Sequence, residues 1–280
     1  MKSYRHRPIK VLKKTGQSQA FSETKLKRSL NHTCLSSTAS KSITEEVANH
    51  LQPNTSTQEI FKKTSYLIKK ESKLAAIQYS LKRSIFELGP EGHNFENFVA
   101  RYFKELDFNT EERITVKGQF VLHEVDVIAT KDKMKFFIEC KFHNRLGIKN
   151  DIKTVLYVKA RWDDLKFGPN GKSITNYYLA SNTAFTDDAK TYAKGTGLRL
   201  LGVNAPEKRS FLDEIKSLRL YPITSLTTLN KIMKKEIILE KIIVAKDLLD
   251  RKDLLIAMGL CEEDILEVFD EINYITRKKI

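Results

Sequence analysis

Two short apolar runs constrain this chain more than anything else in it. His123-Glu124-Val125-Asp126-Val127-Ile128-Ala129 and Phe136-Phe137-Ile138-Glu139-Cys140-Lys141-Phe142 are rich in β-branched and aromatic residues, as strands are. Each also carries charge where a buried strand should carry none, and burying a charge is costly unless it is paired or metal-bound. Residues two apart on a strand share a face, so Glu139 and Lys141 project together while Ile138 and Cys140 pack behind. The polar Thr130-Lys131-Asp132-Lys133 reads as the turn of a hairpin joining the two runs. With that turn centred near Lys131-Asp132, Asp126 lies diagonally beside Glu139 on one face. A one-residue slip would move it to the other.

Two carboxylates beside a lysine can hold a hard divalent cation, Mg2+ or Mn2+, which keeps several of its waters. Such a cation activates a water and stabilises charge on an attacked phosphate, while the lysine orients or deprotonates the nucleophile. The same triplet also arises on an ordinary hairpin with an exposed charged face, where Glu139 and Lys141 make cross-strand pairs. Upstream, Gly92 to Phe103 has apolar residues at Phe95, Phe98, Val99, Tyr102 and Phe103, the period of an amphipathic helix. Glu96 is read near the start of that helix, where the helix dipole favours a carboxylate.

These pieces resemble the Mrr-like branch of the PD-(D/E)XK restriction endonuclease superfamily, over about Gly92 to Val203. The matching segments are the Gly-x-x-Phe-Glu-x-x-Val-Ala helix, the two charged runs, Tyr178 to Ala189 as a strand entering a helix, and Leu198 to Val203 as a closing strand. The resemblance implies that Asp126 and Glu139 bind the metal, that Lys141 is the catalytic lysine and that Glu96 is an accessory acid. Val125 stands where the superfamily's name-giving proline would be. His123, Glu124 and His143 flank the site as neighbours or DNA contacts. Leu146 to Phe167 reads as a helix whose Tyr157, Lys159, Arg161, Trp162 and Lys166 could meet phosphates and bases, or else form a solvated face with a core tryptophan.

Charge is distributed unevenly. Of the net +14, residues 1–85 hold +12, residues 86–222 hold +3 and residues 223–280 hold −1. A basic segment of that kind needs a polyanionic partner, and its lysines are too scattered for a lipid-binding helix. Ile9 to Ser22 reads as a hairpin turning near Thr15-Gly16, with Ser22 capping a helix from Glu23. Helices over about Ile43–Leu51 and Thr57–Leu88, the second long or broken, follow a polar loop at Ser36–Ser42. This arrangement resembles the ATP-cone, a nucleotide-binding regulatory domain. By that resemblance Val11, Lys13, Lys14, Lys25 and Thr57 contact ATP or dATP, and Lys13, Lys14 and Lys25 converge on the triphosphate. Thr15 and Gln19 stand where that family usually has acids. Without a nucleotide, the same lysines would form a DNA-binding arm.

The C-terminal segment is helical by period, from Leu226 through Leu249 and again to Gly259, with a further amphipathic helix after Cys261. Its near-neutral charge suits protein contact or a structural cap better than phosphate binding. Three widely spaced cysteines, no run of 18 apolar residues and a basic start without an apolar stretch point to a cytoplasmic protein with no membrane partner. The expectation is an α+β chain of three parts: an ATP-cone-like domain (1–88), a PD-(D/E)XK core (89–221) and a small helical domain (222–280). Its function is expected to be Mg2+- or Mn2+-dependent endodeoxyribonuclease activity of restriction or defence type on double-stranded DNA, regulated by ATP or dATP. No phosphate-loop motif is present for hydrolysing nucleotide. Cutting both strands with one site per subunit favours a homodimer. The alternative is a catalytically silent, nucleotide-sensing DNA-binding regulator.

Overall fold

The structure, a computed structural model, describes residues 9–13, 16–145 and 147–277. The chain forms two compact units, residues 1–80 and 81–280. Lys14 and Thr15, expected at the first hairpin's turn, lie outside the described residues.

The first unit opens with an antiparallel hairpin, β1 (Lys10–Leu12) and β2 (Ser18–Ala20), paired Lys10↔Ala20 to Leu12↔Ser18. Gly16 has φ 79°, a left-handed conformation that glycine adopts without steric cost. Helices α1 (Glu23–Asn31), α2 (Ser37–Asn49) and α3 (Thr57–Glu71) follow, and then α4 (Lys73–Phe86), which runs past residue 80. Ser22 caps α1 as expected, its hydroxyl accepting from Lys25 N–H at 3.3 Å. The stretch read as a polar loop at Ser36–Ser42 is instead the first turns of α2. Ser36 caps it by accepting from Ala39 N–H at 3.1 Å, Ser37 and Ser42 lie on its exposed side and Ser40 is buried against the core. The long helix after Thr57 is broken at Ser72, which is extended and whose hydroxyl accepts from Ala75 N–H to start α4. Leu26, Leu30, Ile43, Val47, Leu67 and Ile68 form the core of this unit.

The second unit is built on a five-stranded mixed sheet. After α5 (Gly92–Glu105) come β3 (Asn109–Lys117), β4 (Leu122–Lys131) and β5 (Met134–Lys141), then β6 (Lys149–Asn150), α6 (Ile152–Phe167), β7 (Asn176–Ser181), β8 (Ala184–Phe185), α7 (Asp187–Thr196) and β9 (Arg199–Leu201). Strand order is β3-β4-β5-β7-β9; the first two pairings are antiparallel and the last two parallel. The short β6 and β8 pair separately and in parallel. On one face, Phe103 of α5 stacks edge-on against Phe136 and Tyr178. On the other, Val155, Val158 and Leu165 of α6 and Ala189 and Ala193 of α7 pack on Ile128, Phe137, Tyr177, Leu179 and Leu200. Helix α6 begins at Ile152, later than the expected Leu146, because β6 comes first and Asp151 caps the helix through Thr154 N–H at 3.2 Å; Leu146 itself is outside the described residues.

The chain ends in α8 (Phe211–Ser217), α9 (Lys231–Leu239), α10 (Lys252–Ala257) and α11 (Glu262–Thr276). The expected continuous helix through Leu249 is interrupted. Ile242, Ile243 and Val244 are buried; Ile242 N–H closes the end of α9 on Ile237 O at 3.2 Å, and the extended Val244 bridges to Pro222 through Ile223 N–H to Ile243 O at 2.8 Å and Ala245 N–H to Tyr221 O at 2.9 Å. Burying three consecutive apolar residues demands such backbone partners. Buried Glu271 of α11 accepts from the N–H and hydroxyl groups of both Thr227 and Thr228 at 2.7–3.0 Å. Arg101 of α5 grips Asp247 at 3.0 Å, tying the helical segment to the helix on the sheet. No helix among the described residues is long and apolar enough to cross a membrane.

At the start of α3, Ser56 and Glu59 form a reciprocal capping box, with Ser56 N–H to Glu59 Oε2 at 2.7 Å and Glu59 N–H to Ser56 Oγ at 3.1 Å. Ser56→Ala should therefore cost about 1 kcal/mol of unfolding free energy, read by urea denaturation, and Ser56→Asp should recover most of it.

Candidate active site

The β4–β5 hairpin pairs Lys131↔Met134 through Val127↔Ile138, so its turn is Asp132-Lys133. Asp132 takes φ 51°, which a short polar side chain tolerates. The turn thus sits one residue later than expected, which moves the pairing by two residues. An even shift preserves the faces, and Asp126 comes level with Glu139 rather than diagonal to it.

Pairing stops there. Cys140 N–H, the next β5 donor beyond Ile138, is taken by the Asp126 side chain, Oδ2 at 2.6 Å. The strand itself is irregular at this point. His123 and Val125 face α6, the former 2.7 Å from Asp164 Oδ2 and the latter packed in the α6–α7 cluster. Ile128, three residues after Val125, packs in the same cluster. Strict alternation would send these two to opposite faces. The β3–β4 ladder also skips Arg113 and Asp126, which this register would set opposite each other, and Arg113 has φ 55°. Asp126 therefore occupies a local break in the strand, the kind of irregularity that re-aims a side chain.

Glu139 continues the Phe137 face of β5 toward α6, where Arg161 Nη1 meets its Oε2 at 2.5 Å. Arg161 also donates from Nη2 to Glu124 O at 2.5 Å. Lys141 follows at the exposed end of the strand, near enough to oppose the rise that burial imposes on the Glu139 carboxyl. Glu96 points in from α5, its side chain 13% exposed and its Oε2 3.3 Å from His93 Nδ1. Because α5 starts at Gly92, Glu96 lies beyond its first turn, and the dipole role expected of it does not apply.

Crowding of acids sets the electrostatics. Burial, then the neighbouring Glu139, and more weakly Glu96, push the Asp126 carboxyl from its usual 3.8 up to about 7, against the pull of Cys140 N–H and Arg161. Burial also raises Glu139, while Arg161 and Lys141 draw it back and Glu96 adds to the rise. Burial and the same acids hold the Cys140 thiol well above its ordinary range.

The flanking residues have structural partners. His123 binds Asp164, and His143 Nε2 lies 2.8 Å from Asn150 Oδ1 while its N–H donates to Asn182 Oδ1 at 2.9 Å. Asn150, fully buried, donates to Ser181 Oγ at 2.9 Å and Thr183 Oγ1 at 3.0 Å, and Ser181 donates to Lys141 O at 2.7 Å. This network fixes the backbone just past Glu139; nothing in the spacing of these residues signals it. Trp162 stacks on Tyr177 at 4.6 Å in the core, and Lys159 pairs with Asp163, so only part of the basic face of α6 is turned outward.

In the first unit, Val11 is buried and its side chain belongs to the core, which leaves only its backbone for a ligand. The Leu12↔Ser56 bridge carries the exposed Lys13 to the amino end of α3, where Thr57 is the first helical residue. Lys25 is exposed on the first turn of α1. Lys14 lies outside the described residues.

Residues 89–205 match the Mrr catalytic domain, a restriction endonuclease family, and this second-unit core is a domain of that class. Residues 221–276 match the AF1548-like C-terminal family. An uncharacterized protein of Archaeoglobus fulgidus is 32% identical over 174 residues, which is 62% of this chain and 97% of that protein. A solved structure, titled as a protein of unknown function AF1548, superposes with TM-score 0.54 at 30% identity, covering 66% of this chain and 98% of the other. The chain belongs to the AF1548-like family.

The elevated Asp126 carboxyl has a consequence for stability. A folded carboxyl raised to about 7 opposes folding once pH passes its usual 3.8, and the penalty grows until pH reaches the folded value. Asp126→Asn should therefore raise the thermal midpoint in EDTA at pH 8, by up to about 1–4 kcal/mol of stability. The gain should shrink steadily as pH falls toward 4, measured by calorimetry across that range.

Proposed function

We propose that this chain is a divalent-metal-dependent endodeoxyribonuclease acting on double-stranded DNA, with Asp126 and Glu139 holding Mg2+ or Mn2+ and Lys141 acting on the attacking water. The observation that carries this reading is the acid cluster itself: Asp126 and Glu139, with Glu96 near, held together by burial at the end of a restriction-endonuclease sheet. The donor set fits the metal. Among the described residues no three His, Cys, Asp or Glu side chains form a cage of their own, and Mg2+ is ordinarily held by one or two carboxylates with water completing the shell. A bound divalent cation would supply Lewis acidity and an activated water at this point.

The chain's own groups divide the remaining work. Cys140 N–H holds one oxygen of Asp126, and the other would be the one to meet the cation. Arg161 neutralises Glu139 and anchors it to α6. Lys141 is tethered through its carbonyl to Ser181, so its side chain extends from a fixed backbone to orient the nucleophile as the ammonium or, once deprotonated, to take the nucleophile's proton. Glu96 is the accessory acid in this scheme. The core spans about residues 89–221 and the helical module 222–280, and two copies of the chain would be needed for concerted double-strand cleavage.

The first unit we assign to nucleotide sensing, with ATP or dATP bound by Lys13, Lys14 and Lys25 and by Thr57 at the amino end of α3, whose helix dipole favours phosphate. Nucleotide then acts by binding alone.

Plasmid DNA incubated with the purified chain should be cut in Mg2+ or Mn2+ and left intact in EDTA. Asp126→Ala should abolish metal-stimulated cutting, and Lys141→Ala should slow it about 10²–10⁴-fold. DNA binding without cutting in any metal would overturn the enzyme in favour of a silent regulator. Calorimetric titration with ATP and dATP tests the first unit: Lys13→Ala and Lys25→Ala should each weaken binding about tenfold, as loss of a charge-assisted bond does.

A further inference from the structure

The β3–β4 connection leaves Phe120, Val121 and Leu122 exposed at 74%, 54% and 65%. Their backbone is nonetheless rigidly held. Asp164 of α6 accepts from Phe120 N–H at 2.9 Å, from Val121 N–H at 3.3 Å and meets His123 Nε2 at 2.7 Å, while its carbonyl accepts from Gln119 N–H at 2.8 Å. Gly118 N–H closes the turn on Val121 O at 2.8 Å. Gly168 presses on the same turn so closely that a Cβ there would lie 2.7 Å from Lys117 O. Beside this contact, Phe167 stands 67% exposed under the Lys166 ammonium, and Lys117 reaches over the tip to Phe120 O at 3.3 Å.

A fixed loop that presents apolar side chains to water, with Lys117 and Lys166 beside them, has a surface suited to a polyanion with an apolar interior. Its position agrees. Leu122 is four residues before Asp126 on β4, on the order of 13 Å along the strand, or about four base steps. The tip lies beyond the end of β5 that carries Lys141, since Lys141 comes level with Glu124 when the hairpin register is extended. Four partly exposed side chains offer on the order of 500 Å², less than the ~800 Å² per partner of a stable protein interface.

We propose that this tip is a wedge for duplex DNA, inserting Phe120 and Leu122 into a groove beside the phosphodiester held at Asp126 and Glu139, with Lys117 and Lys166 on the flanking phosphates. The proposal rests on the nuclease reading above and names how that site grips its substrate. Apolar wedges of this kind unstack a base step and kink the duplex, which brings more of it against the protein.

The test uses the full chain. In an Asp126→Ala background, affinity is measured by anisotropy on a duplex carrying 2-aminopurine, alone and with Phe120→Ser plus Leu122→Ser. The wedge predicts a rise in 2-aminopurine fluorescence on binding. It predicts 10- to 100-fold weaker binding and loss of that rise in the double substitution, at an unchanged thermal midpoint because both side chains are exposed. Phe120→Trp should keep the fluorescence rise. Unchanged affinity and fluorescence in the tip variants, with the unaltered chain still cutting DNA in Mg2+, would overturn the wedge and leave the nuclease reading standing. Altered self-association with unaltered DNA affinity would also overturn it, by making the tip a subunit contact. Neither binding nor cutting by the unaltered chain in Mg2+ or Mn2+ would overturn both.

Discussion

The end of the β4–β5 hairpin is organised around a repulsion. Asp126 and Glu139 are drawn together by strand pairing, out of water, with Glu96 close behind. Three things make that arrangement tolerable. The strand breaks its alternation at Asp126, which lets the carboxylate turn into the gap and accept Cys140 N–H instead of opposing Glu139 across a flat sheet. Arg161 supplies a positive charge at 2.5 Å. The last part of the load is carried by protonation, since a carboxyl near 7 is partly neutral under ordinary conditions. A structural ion-pair network would have balanced its charges outright. Here part of the charge is met by a proton on Asp126, a place that a cation would take in the nuclease proposed above.

Helix α6 does most of the positioning. Arg161 and Asp164 lie three residues apart, so they share a face. Arg161 reaches Glu139 and the Glu124 carbonyl; Asp164 reaches the β3–β4 tip and His123. Trp162 and Val158 seat the same helix on Tyr177 and the sheet. The acid site and the exposed tip are thereby registered to one rigid element. A shift of α6 would disturb both together.

Much of this was legible in the residues because it depends on local period. The 2-residue repeat of Glu139 and Lys141, the 3.6-residue repeat of α5 and the cap at Ser22 need only neighbours in sequence, and they stand where the pattern placed them. Whatever depended on distant partners was less visible. The hairpin's turn was misplaced by one residue, since Thr130 to Lys133 is polar throughout and nothing local selects its centre. Serines at the start of α2 read as loop because their capping role depends on backbone direction. Val244 reads as helix by period but is drawn out by pairing with Pro222, across some twenty residues. Arg161 looked like one of several basic residues on a helix face; only the fold brings it to Glu139.

Charge distribution bears on how such a core would hold DNA. Residues 86–222 carry only +3, with most of the chain's positive excess in residues 1–85. Non-specific affinity for a duplex grows with the number of phosphates neutralised, and it weakens steeply with salt. A nearly neutral core has few such contacts to offer, and several of its cations are already paired internally, Lys159 with Asp163 and Arg161 with Glu139. Its grip on DNA must then draw on contacts that salt does not screen, chiefly apolar burial and shape. Exposed apolar side chains on a braced loop beside the acid site provide contacts of that kind.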